Sequence, residues 1–129
     1  MNQQPAPIPA PLKAAVGNVV TGTNALAASN TGNKNLAAGV NVSGNLAHVN
    51  TNNIKAKNAF NMSAKNINKA LVNTTNLNQK LKNNLVTAQK HFTTAAINAA
   101  ANQPIKAANH ARRGIGALKN YIGANLANA

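Results

Sequence analysis

The sequence predicts an all-α protein folded as an antiparallel four-helix bundle. Apolar residues recur every three or four positions in several long segments, which is the period of an amphipathic helix. Short stretches rich in Asn, Thr, Gly and Pro separate these segments, and no run alternates apolar and polar residues as a half-buried strand does. Helices that each carry one apolar stripe and are joined by short connections bury those stripes against one another.

The first eleven residues, MNQQPAPIPAP, predict an extended arm and not a helix. Pro at every second position from 5 to 11 favours polyproline-like backbone. We therefore divide the chain into an arm, residues 1–11, and a single bundle domain, residues 12–129. The arm is expected either to be a disordered tail or to dock on a neighbouring subunit.

The first helix is predicted over residues 12–29. Five residues spaced three or four apart share one face of it: Leu12, Val16, Val19, Thr23 and Leu26. Gly17 and Gly22 either weaken this helix or mark close contact with a neighbouring helix. Residues 30–33, Asn-Thr-Gly-Asn, favour a turn.

Residues 34–50 carry two short apolar faces interrupted by Gly39 and Gly44. They predict either a short broken helix, which would be an extra element, or a loop followed by a helix starting near Ser43. The second long helix is predicted over residues 52–72, with an N-cap within residues 51–53. Its apolar stripe is Phe60, Ala64, Ile67 and Leu71.

The third helix, residues 76–101, has the clearest amphipathic pattern and contains neither Gly nor Pro. Residues 73–75, Asn-Thr-Thr, are expected to end the second helix and cap the third. Pro104 suits the first turn of the last helix, which is predicted to run to the C-terminus.

The charge of the chain is unusual, because 13 Lys and Arg and no Asp or Glu give a net charge of +13 at pH 7. Such a polycation is expected to bind nucleic acid, anionic lipid or acidic protein. As written, the chain excludes an enzyme that works through paired carboxylates. Without Cys it has no disulfide, thiolate metal site or cysteine nucleophile, and no apolar run is long enough to span a bilayer.

A second interpretation of the charge concerns the amides, of which there are 26 Asn and 5 Gln. Six of the eleven lysines follow an Asn by four residues, more than random placement would give. An acid at that spacing before Lys is the favoured ion pair of a helix, whereas Asn has less reason to be enriched there. The alternative hypothesis is therefore that many amide positions stand for Asp and Glu, through unresolved amide assignment or deliberate charge neutralisation.

The three histidines are far apart in the sequence and lack the spacing of a metal site. His91 is predicted at the core boundary of the third helix and His110 on the solvent side of the last helix. The pattern His110, Arg113, Gly114 is similar to the local motif of histidine phosphotransfer domains, which are also small helical bundles. The resemblance implies an exposed nucleophilic imidazole and a cation for phosphate oxygens; it covers about five positions, and the later Gly of that family is absent.

Most lysines of the middle helices spread around the helix faces and form no single stripe. A second, smaller cluster in the last helix is the expected contact for phosphate or a polyanion: Lys106, His110, Arg112, Arg113 and Lys119. Aromatic residues are too few for base stacking, so nucleic-acid binding would be independent of base sequence.

From these patterns we predict a non-enzymatic structural or interaction protein, which packs with copies of itself or with helices of a partner. No catalytic, cofactor or metal site is predicted. The first alternative is a sequence-nonspecific binder of nucleic acid or another polyanion, if the charge of +13 is literal. The second is a phosphotransfer module that uses His110.

Overall fold

The computed structural model describes residues 8–74 and 77–127, with the backbone alone for residues 125–127. Within these residues four helices follow one another: α1 (Ala10–Ala37), α2 (Val42–Asn73), α3 (Gln79–Ala100) and α4 (Pro104–Ala127). Each helix packs against its neighbour in sequence, and α1 also contacts α4. No strand occurs in the described ranges, so the predicted all-α four-helix bundle is confirmed.

The antiparallel arrangement is visible in the contacts between α1 and α2. Ser63 donates a hydrogen bond to the carbonyl of Ala15, whereas Asn53, ten residues earlier in α2, bonds to Ser29, which lies later in α1. Residues that rise in number along α1 therefore meet residues that fall in number along α2. Tight turns at residues 38–41 and 101–103 reverse the chain at the same end of the bundle.

The start of α1 differs from the predicted boundary of the arm. The helix begins at Ala10, with Pro9 as its N-cap residue and Pro11 in its first turn. Pro is tolerated there because the first turn of a helix needs no N–H donor. The helix therefore includes the last two residues assigned to the arm, and residues 1–7 lie outside the described part.

The predicted turn at residues 30–33 is wrong, because α1 continues through it to Ala37. Gly32 is buried, and a Cβ atom added to it would lie 2.6 Å from Cγ2 of Val49. The residue that signals a turn in the sequence instead lets α2 approach α1. Asn, Thr and Gly have weak helix propensity, and tertiary packing overrides it here.

The segment between α1 and α2 contains no separate short helix, so the prediction of an extra helix is wrong. The alternative prediction, a helix that starts near Ser43, agrees with the start of α2 at Val42. The turn uses left-handed backbone at Gly39, with φ 72°, and at Asn41, with φ 35°. Because α2 begins at Val42, residues 51–53 lie inside the helix and are not its N-cap. Asn53 is instead buried in the bundle.

The boundaries of α3 and α4 agree more closely with the predicted ones. The second helix ends at Asn73, as predicted, but the N-cap of α3 is Asn78 and not residues 73–75. The side-chain oxygen of Asn78 accepts a hydrogen bond from the backbone N–H of Leu81 at 2.9 Å. Pro104 is the first residue of α4, as predicted.

The core consists mainly of Ala, with one Phe at each of two close helix contacts. The ring of Phe60 in α2 lies against Gly22 of α1, and the ring of Phe92 in α3 lies against Gly114 of α4. A Cβ atom would lie 2.8 Å from the Phe60 ring at Gly22 and 2.5 Å from the Phe92 ring at Gly114. Both rings are fully buried, so these glycines are required by the close approach of two helix pairs.

Amide side chains connect three parts of the bundle near the two tight turns. Asn53 accepts a hydrogen bond from Ser29 of α1 and donates one to the side chain of Asn102 in the α3–α4 turn. Asn102 and Asn33 donate to each other, at 3.1 and 2.8 Å. These bonds use amide N–H donors that a carboxylate lacks, so an acid at Asn33, Asn53 or Asn102 would lose them.

Candidate interaction surface between α1 and α4

The seam between α1 and α4 is the most open of the four seams between adjacent helices. Two neighbouring cavities, of about 240 and 470 Å³, lie along it. The first is lined by Ile8, Leu12, Lys13, Val16, Leu118, Tyr121 and Ile122. The second is lined by Val19, Thr23, Ala108, Ala111, Arg112, Ile115, Gly116 and Lys119. We call these two cavities together the α1–α4 groove.

The groove is apolar because core residues form part of its lining. Leu118 and Tyr121 of α4 are almost completely buried, and burial raises the pKa of Tyr121, so its hydroxyl stays neutral. Val16 of α1 lies in the same lining but is 41% exposed. A concave lining made mostly of apolar side chains is typical of a binding site.

Three cations line the groove, and the chain has no acidic side chain to neutralise them. Lys13 contributes to the first cavity, and Arg112 and Lys119 contribute to the second. One guanidinium nitrogen of Arg112 donates to the side-chain oxygen of Asn109 at 2.8 Å, which restrains its position. Arg112 and Lys119 are seven residues apart and so lie on the same side of α4, about 10.5 Å apart along its axis.

The cluster predicted in the last helix is divided between two sides of α4. Arg112 and Lys119 lie in the α1–α4 groove. His110 faces α3, where its ring contacts His91, and Arg113 is close enough to His91 to affect its charge. Lys106 precedes Arg113 by seven residues and therefore shares its side of the helix. The structure thus does not bring the five residues together.

His91 and His110 form a pair across the α3–α4 seam. Their Nδ1 atoms are 3.2 Å apart, and their ring centroids are 5.4 Å apart with the planes tilted by 32°. When both rings are neutral, one Nδ1–H donates a hydrogen bond and the other Nδ1 accepts it. The half-buried position of His91 agrees with the sequence, but His110 is also half-buried, so its predicted exposure to solvent is wrong.

His110 is half-buried because both flanks of α4 are partly covered. The apolar stripe of α4 indicates a single buried direction, whereas the helix packs on α3 along one side and borders α1 along another. The resemblance to phosphotransfer domains implied an exposed His110 imidazole. One of its ring nitrogens is instead engaged by His91.

The surroundings of the histidine pair disfavour positive charge. Burial, the neighbouring His110 and the charge of Arg113 together lower the pKa of His91 below its ordinary value. His91 is therefore neutral at pH 7. Within the described residues no group of three or more His, Cys, Asp or Glu side chains converges as a metal site would require.

No helix in the described part of the chain combines the length and hydropathy needed to cross a membrane. Comparisons with protein-family models, with curated proteins and with solved structures found no match.

Sequence reasoning missed both the groove and the pairing of His91 with His110. Periodicity assigns residues to helix faces but does not show which face of α1 meets which face of α4. One signal was present: three of the α4 residues that line the second cavity are small, namely Ala108, Ala111 and Gly116. Small residues that meet no large side chain leave space between helices.

Proposed function

We propose that this protein is a non-enzymatic helical interaction protein whose partners are anionic. The observation that supports this proposal is the presence of 13 cationic side chains in a chain without Asp or Glu. All 13 belong to the four helices, and all are exposed except Lys57, which is half-buried. Cations that no acidic side chain of their own chain can neutralise attract a molecule that carries negative charge.

A second copy of the chain is a less favourable partner than an anionic molecule. Two copies that meet at neutral pH each bring a charge of +13, and their repulsion is strongest at low salt. We therefore expect light scattering at low ionic strength to show a monomer, and a discrete oligomer under these conditions would favour self-association instead.

The proposal requires the charge to be literal, so the intact mass of the purified protein is the first measurement. Each acid in place of an amide would add about 1 Da to the mass of the sequence. We expect agreement with the mass of the sequence as written, which is 13.2 kDa. An excess of many daltons would remove the net positive charge and with it the proposal.

Binding to polyglutamate tests the proposal directly. We expect association at about 50 mM salt that weakens steeply by about 200 mM, because the attraction is electrostatic. Polylysine of the same length is the matched control and should not bind. Absence of binding to polyglutamate at low salt would contradict the proposal.

A second candidate function is nucleic-acid binding independent of base sequence, which the net charge of +13 favours. The three aromatic side chains, Phe60, Phe92 and Tyr121, are all buried, so none is available to stack on a base. Gel retardation with two unrelated duplexes distinguishes this role. If both duplexes are retarded equally and salt-sensitively, and bind much more tightly than polyglutamate, nucleic acid is favoured over acidic protein as the partner.

A further inference from the structure

We infer that the α1–α4 groove binds one amphipathic helix of a partner protein, whose apolar face enters the groove and whose acidic residues meet the three lining cations. This inference rests on the proposed function, because it names the chemistry of the anionic partner. Three features of the molecule support it: the shape and apolarity of the groove, the position of its cations, and the absence of acidic side chains from other occupants that the chain could supply.

The groove has the length and lining that suit a helix. The part of α4 that lines it extends from Ala108 to Ile122, about 21 Å at 1.5 Å per residue. A partner segment of about 14 residues, or four turns, therefore covers it. An amphipathic helix that docks in a groove places side chains from one face into apolar spaces, and the two successive cavities provide such spaces.

The cations specify the charge of the occupant. Lys13 lies at one end of the groove, and Arg112 and Lys119 lie on the α4 side, about 10.5 Å apart along the helix. Acidic residues spaced seven apart on a partner helix have the same separation and face the same side. Asn109 restrains Arg112 by a hydrogen bond, so less side-chain freedom is lost when this residue binds a carboxylate.

Other occupants from the chain itself do not complement this surface. A second copy and residues 1–7 both lack acidic side chains, so neither can neutralise Lys13, Arg112 or Lys119. The groove is also open to solvent, as the exposure of Val16 shows, which suits the flank of a helix that remains partly solvated. The acidic amphipathic helix is thus the occupant that satisfies both the apolar lining and the charge.

The test uses the full chain and a synthetic peptide of about 18 residues with Leu at helical spacing and Glu seven residues apart on both flanks. Binding is compared with unstructured polyglutamate of equal charge by isothermal titration calorimetry. We expect the helical peptide to bind at least about tenfold more tightly, because it adds apolar burial to the charge term. A peptide with Gln in place of each Glu should lose most of this affinity.

Groove variants assign the site. Val16→Glu should weaken peptide binding at least about tenfold, because it places a charge in the apolar lining. Val72→Glu introduces the same change on α2, outside either cavity, and is the matched control. Thr23→Glu is a second groove variant at an exposed position, and thermal melts establish that each variant folds.

Charge variants provide an independent readout. The triple change Lys13→Gln, Arg112→Gln and Lys119→Gln should weaken the peptide more than the equal-charge control Lys65→Gln, Lys69→Gln and Lys82→Gln, whose residues lie on α2 and α3. Both triple variants should reduce the affinity for polyglutamate to the same degree. In the amide NMR spectrum, the peptide should shift resonances of α1 and α4 at the groove.

The outcomes separate this inference from the proposal on which it rests. If polyglutamate binds and the helical peptide binds no more tightly, or if the groove variants and their controls behave alike, the groove assignment is overturned and the anionic partner stands. If neither ligand binds at low salt, both the groove assignment and the proposed function are contradicted. If dodecanoate binds the groove and the peptide does not, the occupant is a fatty acyl chain and the helix assignment is wrong.

Discussion

Helix α1 is packed differently on its two sides. Towards α2, Gly22 and Gly32 meet Phe60 and Val49, so a position without a side chain faces a large apolar group and the helices are close. Towards α4, Val19 and Thr23 border the second cavity together with residues of α4, and space remains between the two helices. The α1–α2 seam is closed because positions without a side chain meet large apolar groups there, and no such pairing occurs among the described residues at the two cavities of the α1–α4 groove.

The largest expected difference between the two seams comes from removing an aromatic ring. Phe60→Ala should lower the free energy of unfolding by about 3–5 kcal/mol, because the fully buried ring fills the space above Gly22. Val16→Ala in the open seam should cost less than about 1 kcal/mol, because that side chain is half-exposed. Denaturant unfolding followed by circular dichroism measures both, and equal losses would contradict the contrast between seams.

Paired glycine substitutions on α4 give the next largest effect. Gly114→Ala should destabilise the bundle by about 1–3 kcal/mol, because the new Cβ would overlap the buried Phe92 ring. Gly116→Ala, two residues further along and facing the groove, meets nothing within 4 Å. It should stabilise by up to about 1 kcal/mol through helix propensity alone.

The same pair of substitutions is available on α1, where Gly22 touches Phe60 and Gly17 touches nothing within 4 Å. Gly22→Ala should destabilise and Gly17→Ala should stabilise, again by about 1–3 and up to about 1 kcal/mol respectively. Thermal melts of all four variants are a direct comparison of closed and open surfaces. Stabilisation by Gly22→Ala would show that the ring can move aside.

The smallest expected effect is a dependence of stability on pH at the α3–α4 seam. The folded state lowers the pKa of His91, so the unfolded chain takes up a proton more readily as the pH falls below the ordinary value of 6.5. The melting temperature should therefore fall as the pH drops through 6.5 towards the lowered pKa. The charged and titratable groups next to His91 are His110 and Arg113, and the chain has no Asp or Glu to mask the effect.

A variant with a neutral side chain tests this assignment. His91→Gln should reduce the loss of stability between pH 7.5 and pH 5, whereas His48→Gln, in an exposed position on α2, should leave it unchanged. An identical pH profile for His91→Gln and the original chain would contradict a role for the histidine pair.

The existence of the helices could be predicted from periodicity because each one buries a regular stripe, as Leu81, Leu85, Ala88 and Phe92 do in α3. The errors occurred where a partner helix decides the outcome. Gly32 is typical of a turn in the sequence, and only the approach of Val49 explains its place inside α1. The contact between His110 and His91 likewise depends on how α3 and α4 are rotated, which a single helix pattern does not contain.

The candidate site was predicted only in part. Arg112 and Lys119 were among the expected contact residues, and they do line the groove. Lys13 was not, because its importance depends on α1 lying beside α4. The function assigned from the charge remains a prediction until binding is measured.

The reciprocal bonds between Asn33 and Asn102 have a mechanical consequence for the α1–α4 seam. They fasten α1 to the α3–α4 turn at one end, whereas the first cavity lies towards the opposite end, near the start of α1. If the two helices separate, we therefore expect the distance between them to increase most near Leu12 and least at the Asn33–Asn102 pair. Asn33→Ala removes both of these hydrogen bonds and with them this restraint on α1.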